Sequence, residues 1–339
     1  AAQIILSRFW AKTFRQGIRV HGQEKLFELS KNYEIIYAPC HRSHFDYLMH
    51  SYVLHEYGLP SPHIAAGVNL NFWPIGRILR KGGAFFLRRS IKGDRMYAII
   101  FREYLNYLIM RGHSITFYIE GGRSRTGRLL APKTGMLSMI VQSFLRGTDR
   151  PVAIVPCYIG YDKVIEIRSY MKELSGKKKT KESIFQLIKI WRYLGVDYGQ
   201  GFVSFGEPIY MEKFLDQSKL PWREATDGQK PDWLSPAVDD LARVIMENIT
   251  RSTFVNPVGL VAVALLSSPQ KSMGEIELVQ CVDFLRSLVS ESKYSNQIHV
   301  TEMKGQAIVK YVETLGQIRR FEHEGNDVIY VHDIEAFLL

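Results

Sequence analysis

Cysteine is scarce in this 339-residue chain: only Cys40, Cys157 and Cys281 occur, an odd number without C-x-x-C spacing. Neither a disulfide framework nor a thiolate zinc site is expected, and a reducing compartment is the default. Long apolar runs are missing too. A membrane span needs roughly 18 to 20 such residues, and the longest candidate, Val258 to Leu266, has about half that. If the chain meets a membrane, it is expected to lie on it. No signal-peptide pattern is present and the first residue is Ala1, which reads as a processed chain or a piece of a longer one. There is no internal repeat or low-complexity segment. The sequence also lacks a G-x-S-x-G elbow, a G-x-x-x-x-G-K-[ST] loop and an H-E-x-x-H pair, so the chemistries those motifs carry are not indicated.

What is present is a globular composition with a basic bias. Hydrophobic residues at 46% and aromatics at 12% exclude a disordered chain. Forty-four Lys and Arg against 34 Asp and Glu give a formal charge of +10. That charge suits an acidic partner: nucleic acid, an anionic membrane surface, a phosphorylated substrate or an acidic carrier protein.

Residues 1–30 read as an amphipathic helix. Ile4, Ile5, Leu6, Phe9, Trp10 and Phe14 recur at mostly helical spacing with Arg8, Lys12, Arg15 and Arg19 between them, a pattern for packing or for a lipid headgroup layer. From 35 to 162 apolar runs alternate with helical patterns, which predicts an α/β layer fold. Strands are expected near 35–37, 83–88, 114–119 and 151–161, and helices at 47–57, 94–111 and 134–145. Pro156 inside the fourth run predicts a bend or a sheet edge. Between the first strands, Leu70, Phe72, Trp73, Ile75, Ile78 and Leu79 stand beside Arg77, Arg80 and Lys81, apolar bulk with a basic rim. Residues 172–181, with five lysines, read as a basic loop, 184–194 as helix and 202–209 as a last strand. Residues 216–236, holding Pro221, Pro231 and Pro236, read as a polar linker. Helices at 238–253, 258–266, 275–290 and 303–315 follow, then two strands around Gly325-Asn326. The expected fold class is therefore α/β: a mixed central sheet flanked by helices, with a mostly helical C-terminal region ending in a β-hairpin. The divisions are 1–30, 31–215 and 216–339. Helices followed by a basic hairpin also resemble a winged helix, so a nucleic-acid module reading through Arg319 and Arg320 is the non-enzyme alternative.

Two stretches carry chemistry. Histidine and aspartate five apart, His41 and Asp46, do not stack on a regular helix, so the histidine is expected in a loop and the aspartate in the first turn of the next helix. There the aspartate can fix the imidazole tautomer and stabilise the imidazolium that forms when the histidine takes a proton. The same spacing from Ser43 to Asp46 is that of a capping box with Ser43 as N-cap, and both readings stand. Cys40, His41 and His44 lack a fourth partner for a metal. In Glu120-Gly-Gly-Arg-Ser-Arg-Thr-Gly-Arg128 the glycines allow close backbone approach, and three arginines within six residues call for an anion or a carboxylate among them.

Taken together, His41-Arg-Ser-His-Phe-Asp46, Gly83-Ala-Phe-Phe-Leu-Arg-Arg-Ser90, Phe117-Tyr-Ile-Glu-Gly-Gly-Arg-Ser-Arg-Thr-Gly127 and Ile154-Val-Pro-Cys-Tyr-Ile159 resemble the four ordered motifs of the glycerolipid acyltransferase family. The arginine-rich third block and Asn256-Pro257-Val258 are most similar to its bacterial membrane-bound glycerol-3-phosphate branch. The resemblance implies transfer of a fatty acyl group from acyl-CoA or acyl-carrier protein to the sn-1 hydroxyl of glycerol 3-phosphate, giving lysophosphatidic acid. Lysophosphatidate and dihydroxyacetone phosphate are the runner-up acceptors. It implies His41 as general base and Asp46 as its orienting partner. It also implies glycerol 3-phosphate binding by Arg88, Arg89, Glu120, Gly121, Arg123, Ser124 and Arg125, with the arginines on the phosphate and Glu120 on a hydroxyl, and a pocket shaped by Pro156. No metal, cofactor or nucleic acid is implied. The expected location is the cytoplasmic face of the bacterial inner membrane, peripheral or monotopic, on an anionic phospholipid surface.

Overall fold

The computed structural model describes residues 10–88, 93–167, 170–171, 196–225, 231–322, 325 and 327–337. The first of its two hydrophobic cores is built on one mixed sheet from strands β1 (Ile18–His21), β2 (Glu34–Pro39), β3 (His63–Gly67), β4 (Ala84–Leu87), β5 (Ile115–Thr116), β6 (Val152–Tyr161), β7 (Gly201–Phe205) and β8 (Ile209–Tyr210). Their order is β1-β7-β6-β2-β5-β3-β4, with β8 also beside β6. Strands β6, β2, β5, β3 and β4 run parallel, while β7 and β8 are antiparallel to β6. Every residue of β2 and β6 is buried, as a strand covered by helices on both faces requires. The covering helices are α1 (Glu24–Asn32), α2 (Asp46–Glu56), α3 (Ile75–Lys81), α4 (Arg95–Met110), α5 (Gly135–Leu145), α6 (Met211–Gln217) and α7 (Leu234–Arg251).

A second, smaller core starts at Leu260. Its elements are β9 (Phe254–Val255), α8 (Pro257–Ser267), β10 (Ser272–Gly274), α9 (Glu275–Glu291), β11 (His299–Val300), α10 (Gly305–Thr314), β12 (Ile318–Phe321), β13 (Val328–Val331) and α11 (Ile334–Phe337). The terminal hairpin is present, and β10 joins it to give the order β10-β13-β12. Helix, strand, two helices and hairpin in that sequence make a winged-helix arrangement. In its basic hairpin Arg320 turns inward onto Glu275, Glu313 and Asp327 at 2.5, 3.2 and 2.8 Å, while Arg319 is exposed.

Several local expectations change. The single helix over 1–30 is broken: Gly17 and Gly22 adopt φ of +82° and +76°, and between them β1 pairs with β7. Trp10 and Phe14 are buried against Phe45 and Tyr161, so they serve the core and not a lipid surface. Strand β3 appears where the sequence offers only Ile64 among small residues. Pro156 is not at a sheet edge. It sits in mid-sheet beside Ala38, between the stretch of β6 that pairs with β8 and the stretch that pairs with β7, where the antiparallel ladder is interrupted and a missing N–H costs least. The linker expected over 216–236 is shortened from both ends: α6 runs to Gln217, and Pro236 falls in the first turn of α7, where helix N–H groups have no intrahelical partner. Arg89, the basic loop 172–181 and the helix 184–194 lie outside the described residues.

Candidate active site

Parallel strands deliver their following loops to one edge of the sheet, and there the first and third motifs meet. After β2 the chain turns through Cys40 to Ser43, and α2 begins at Asp46. His41 thus stands in the loop and Asp46 in the first helical turn. His41 Nδ1 lies 2.8 Å from Asp46 Oδ2, and the same oxygen accepts from the backbone N–H groups of Arg42 and Ser43 at 2.6 and 3.0 Å. Orienting a histidine and closing the helix N-terminus are therefore one contact set. Ser43 is not the N-cap; its hydroxyl accepts from Phe45 N–H and donates to Glu166. Tyr161 donates to the other oxygen, Asp46 Oδ1, at 2.5 Å.

With Nδ1–H donating to Asp46, Nε2 is the acceptor, and the Tyr47 hydroxyl donates to it at 2.9 Å. Tyr118 lies against the ring with centroids 4.2 Å apart. Burial lowers the pKa of His41, Asp46 raises it in part, and nearby His44 and Arg123 lower it again. A neutral imidazole with an unprotonated Nε2 is what a general base requires.

The loop after β5 wraps around His41. Glu120 Oε1 accepts from His41 N–H at 2.8 Å, Glu120 Oε2 accepts from Leu130 N–H at 2.7 Å, and Ser124 N–H donates to His41 C=O at 2.8 Å. Each oxygen of Glu120 thus holds a backbone N–H and the side chain is buried, so it ties the two motif loops together. Gly121 turns at φ of +58°. The buried Ser124 hydroxyl has no hydrogen-bond partner among the described residues. Arg123 donates to Tyr170 at 3.1 Å and lies 3.7 Å from Glu166, while Arg125 reaches back to the Arg123 carbonyl at 3.3 Å.

Arg88 is not drawn into this cluster. It follows the last residue of β4, three strands from β2 and so about 14 Å across the sheet. Its guanidinium pairs with Asp94 at 2.7 Å and lies over Tyr97. Pro156 is in the sheet beneath the site. The clefts of about 500 and 490 Å³ are lined by neither His41 nor Asp46; the first is bounded by His63, Arg80, Phe85 and Tyr104, the second by Trp10, Phe14 and Tyr52.

Four supporting residues were not foreseen: Tyr47, Tyr118, Tyr161 and Glu166. Tyr47 follows Asp46 directly and Tyr118 precedes Glu120 by two, so position within the motifs could have flagged both. Glu166 bonds to Ser43 and His44 from more than a hundred residues away, and nothing local marks it.

Two family models match the chain, one described as Acyltransferase over residues 17–160 and one as Glycerol-3-phosphate acyltransferase C-terminal region over 170–339. The chain is 48% identical over 318 residues to a glycerol-3-phosphate acyltransferase of Pseudoalteromonas atlantica, a match spanning 93% of this chain and 39% of that protein. To the Alteromonas mediterranea protein of the same name it is 46% identical over 327 residues, 95% of this chain and 39% of that one. The chain thus spans about two fifths of the length of these curated relatives. Among solved structures, the 1-acyl-sn-glycerophosphate acyltransferase PlsC of Thermotoga maritima aligns at a TM-score of 0.39 and 16% identity, over 74% of this chain and 77% of that one. The two matched regions and the identity carried along nearly the whole sequence make this chain a member of the glycerol-3-phosphate acyltransferase family.

Proposed function

We propose that this chain transfers a fatty acyl group from a thioester, acyl-CoA or acyl-carrier protein, to the sn-1 hydroxyl of glycerol 3-phosphate. The observation that carries the reading is the His41–Asp46 pair, buried, in contact through Nδ1 and placed near Arg123. The acceptor hydroxyl takes the place of the Tyr47 hydroxyl at Nε2, loses its proton to His41 and attacks the thioester carbonyl. Asp46 stabilises the imidazolium, which returns the proton to the departing thiolate. No covalent acyl-enzyme is needed. Arg123 and Arg125 hold the phosphate, and the Ser124 hydroxyl, without a hydrogen-bond partner among the described residues, adds a donor to them.

The reaction takes place at the cytoplasmic face of a membrane. Support comes from α4, which is apolar on its outward face as well as its buried one: Met96, Ile99, Ile100, Tyr107 and Met110 are exposed. Trp73, 79% exposed, and Ile78 stand out beside Arg77 and Arg80. Among the described residues no helix is long and apolar enough to cross a membrane.

An acceptor panel tests the proposal. Purified protein with palmitoyl-CoA should release thiol with glycerol 3-phosphate and far more slowly with lysophosphatidate or dihydroxyacetone phosphate. Preference for either of the latter would reassign the acceptor.

A further inference from the structure

Strand β6 ends on Tyr161, and Asp162 follows; adjoining residues of extended chain point to opposite sides. Tyr161 turns to the active site, where its hydroxyl bonds Asp46 Oδ1 and its ring stacks on Phe14 at 5.8 Å between centroids. Asp162 turns to the second core. Tyr311 on α10 donates to Asp162 Oδ2 at 2.5 Å, and Gln200 N–H donates to the same oxygen at 2.9 Å. Asn256, the N-cap of α8, donates through its side-chain amide to the Tyr161 carbonyl at 3.2 Å. One residue is thus held at its main chain and through its neighbour by the second core, while its own side chain is committed to the catalytic aspartate.

Packing alone does not account for this arrangement. Asp162 is buried, and burial raises its carboxyl to about 6 against the lowering effect of the donors from Tyr311 and Gln200. An apolar side chain in that position would avoid such a cost. The Asp46 carboxylate shows what the arrangement achieves. Oδ2 is fixed by His41 and two backbone donors, whereas the contact holding Oδ1 comes from Tyr161. Without that donor the carboxylate plane can tilt, and the imidazole it orients loosens with it.

We propose that Tyr161 is a positioning residue for the His41–Asp46 pair, and that the second core holds it in place through Asp162, Tyr311 and Asn256, so that turnover depends on how residues 255–337 dock against β6. The proposal rests on His41 and Asp46 being the catalytic pair. It gives the winged-helix unit a task in which α10, the helix that would read nucleic acid, is turned to the catalytic unit instead.

Tyr161→Phe, Tyr311→Phe, the double variant and the surface control Tyr294→Phe form the test. Tyr161→Phe should lower kcat about tenfold, at the lower end for lost support of a site residue, with both KM values within about twofold of wild type. Tyr311→Phe should show the same split at smaller size. The double variant should be no slower than Tyr161→Phe, because both changes act through one contact. Tyr294→Phe should match wild type. Hydrogen exchange of the same proteins gives a readout that needs no substrate: Tyr311→Phe should speed exchange at 158–163 and also at 41–47. Wild-type kcat in Tyr161→Phe, multiplied losses in the double variant, or faster exchange confined to 255–337 would each overturn the proposal. A wild-type protein inactive on every glycerolipid acceptor would instead refute the proposed function, and the exchange result would still decide the coupling.

Discussion

Asp46 offers the sharpest separation of chemistry from helix capping. The side chain is fully buried and receives four donors: His41 Nδ1–H, Arg42 N–H, Ser43 N–H and Tyr161 O–H. Asp46→Ala strands all four. Unsatisfied buried groups cost ~1–3 kcal/mol each and do not sum fully, so a loss of about 3–5 kcal/mol in stability is expected and activity alone would say little. Asp46→Asn is the better probe. Its amide oxygen can take the Oδ2 position, keeping the His41 tautomer and both backbone bonds, and its NH₂ can donate to the Tyr161 oxygen. What disappears is the charge. An imidazolium and a carboxylate about 4 Å apart interact by about 4 kcal/mol at an effective dielectric near 20, and each ~1.4 kcal/mol is a decade in rate. kcat/KM should therefore fall by about 10² to 10³ while the melting temperature moves by only a few degrees. Thiol release from acyl-CoA, followed beside thermal denaturation, measures both. If the Asn variant retains more than a tenth of wild-type kcat/KM, the aspartate serves the fold and the catalytic role assigned to it is wrong.

Three further outcomes follow from the same geometry. Arg123→Ala and Arg125→Ala should each raise the KM for glycerol 3-phosphate about 10- to 100-fold, the worth of a charge-assisted bond, and leave the KM for the acyl donor little changed; equal effects on both substrates would remove the phosphate from these arginines. Because burial holds the His41 pKa below its ordinary 6.5, the base form is already present at neutral pH, so kcat/KM should be flat above pH 7 and fall as pH drops through the lowered value, whereas an acid limb above 7 would contradict that environment. Trp73→Ser combined with Ile78→Ser should weaken cosedimentation with anionic vesicles at moderate salt without altering thermal stability, since both side chains are exposed; unchanged binding would move the lipid surface elsewhere.

Much of this was legible in the sequence, for physical reasons that differ from element to element. Strands β2 and β6 announce themselves as apolar runs because both faces are covered, and α4, α7 and α9 because their patterns span several turns. Strand β1 is only four residues long and lies inside a stretch of helical periodicity; its pairing with β7, some 180 residues away, decides its state. Strand β3, His-Ile-Ala-Ala-Gly, has little β-propensity of its own and is made by its neighbours. At the site, the loop and helix placement of His41 and Asp46 could be read from spacing alone. The two backbone contacts of Glu120 could not, since their partners, His41 and Leu130, are not marked by anything beside the carboxylate in sequence. Glu166, Tyr161 and Tyr311 escaped because their partners are distant in sequence.

The central claim is that His41 removes the acceptor proton, and acceptor-dependent thiol release by His41→Ala tests it most directly. The comparison uses wild type and variant at equal concentration, at pH 7.5, with palmitoyl-CoA and saturating glycerol 3-phosphate. The account predicts a folded variant whose glycerol 3-phosphate-dependent kcat is lower by the ~10² to 10⁴ typical of lost acid–base catalysis. A His41→Ala protein that turns over within tenfold of wild type would contradict it.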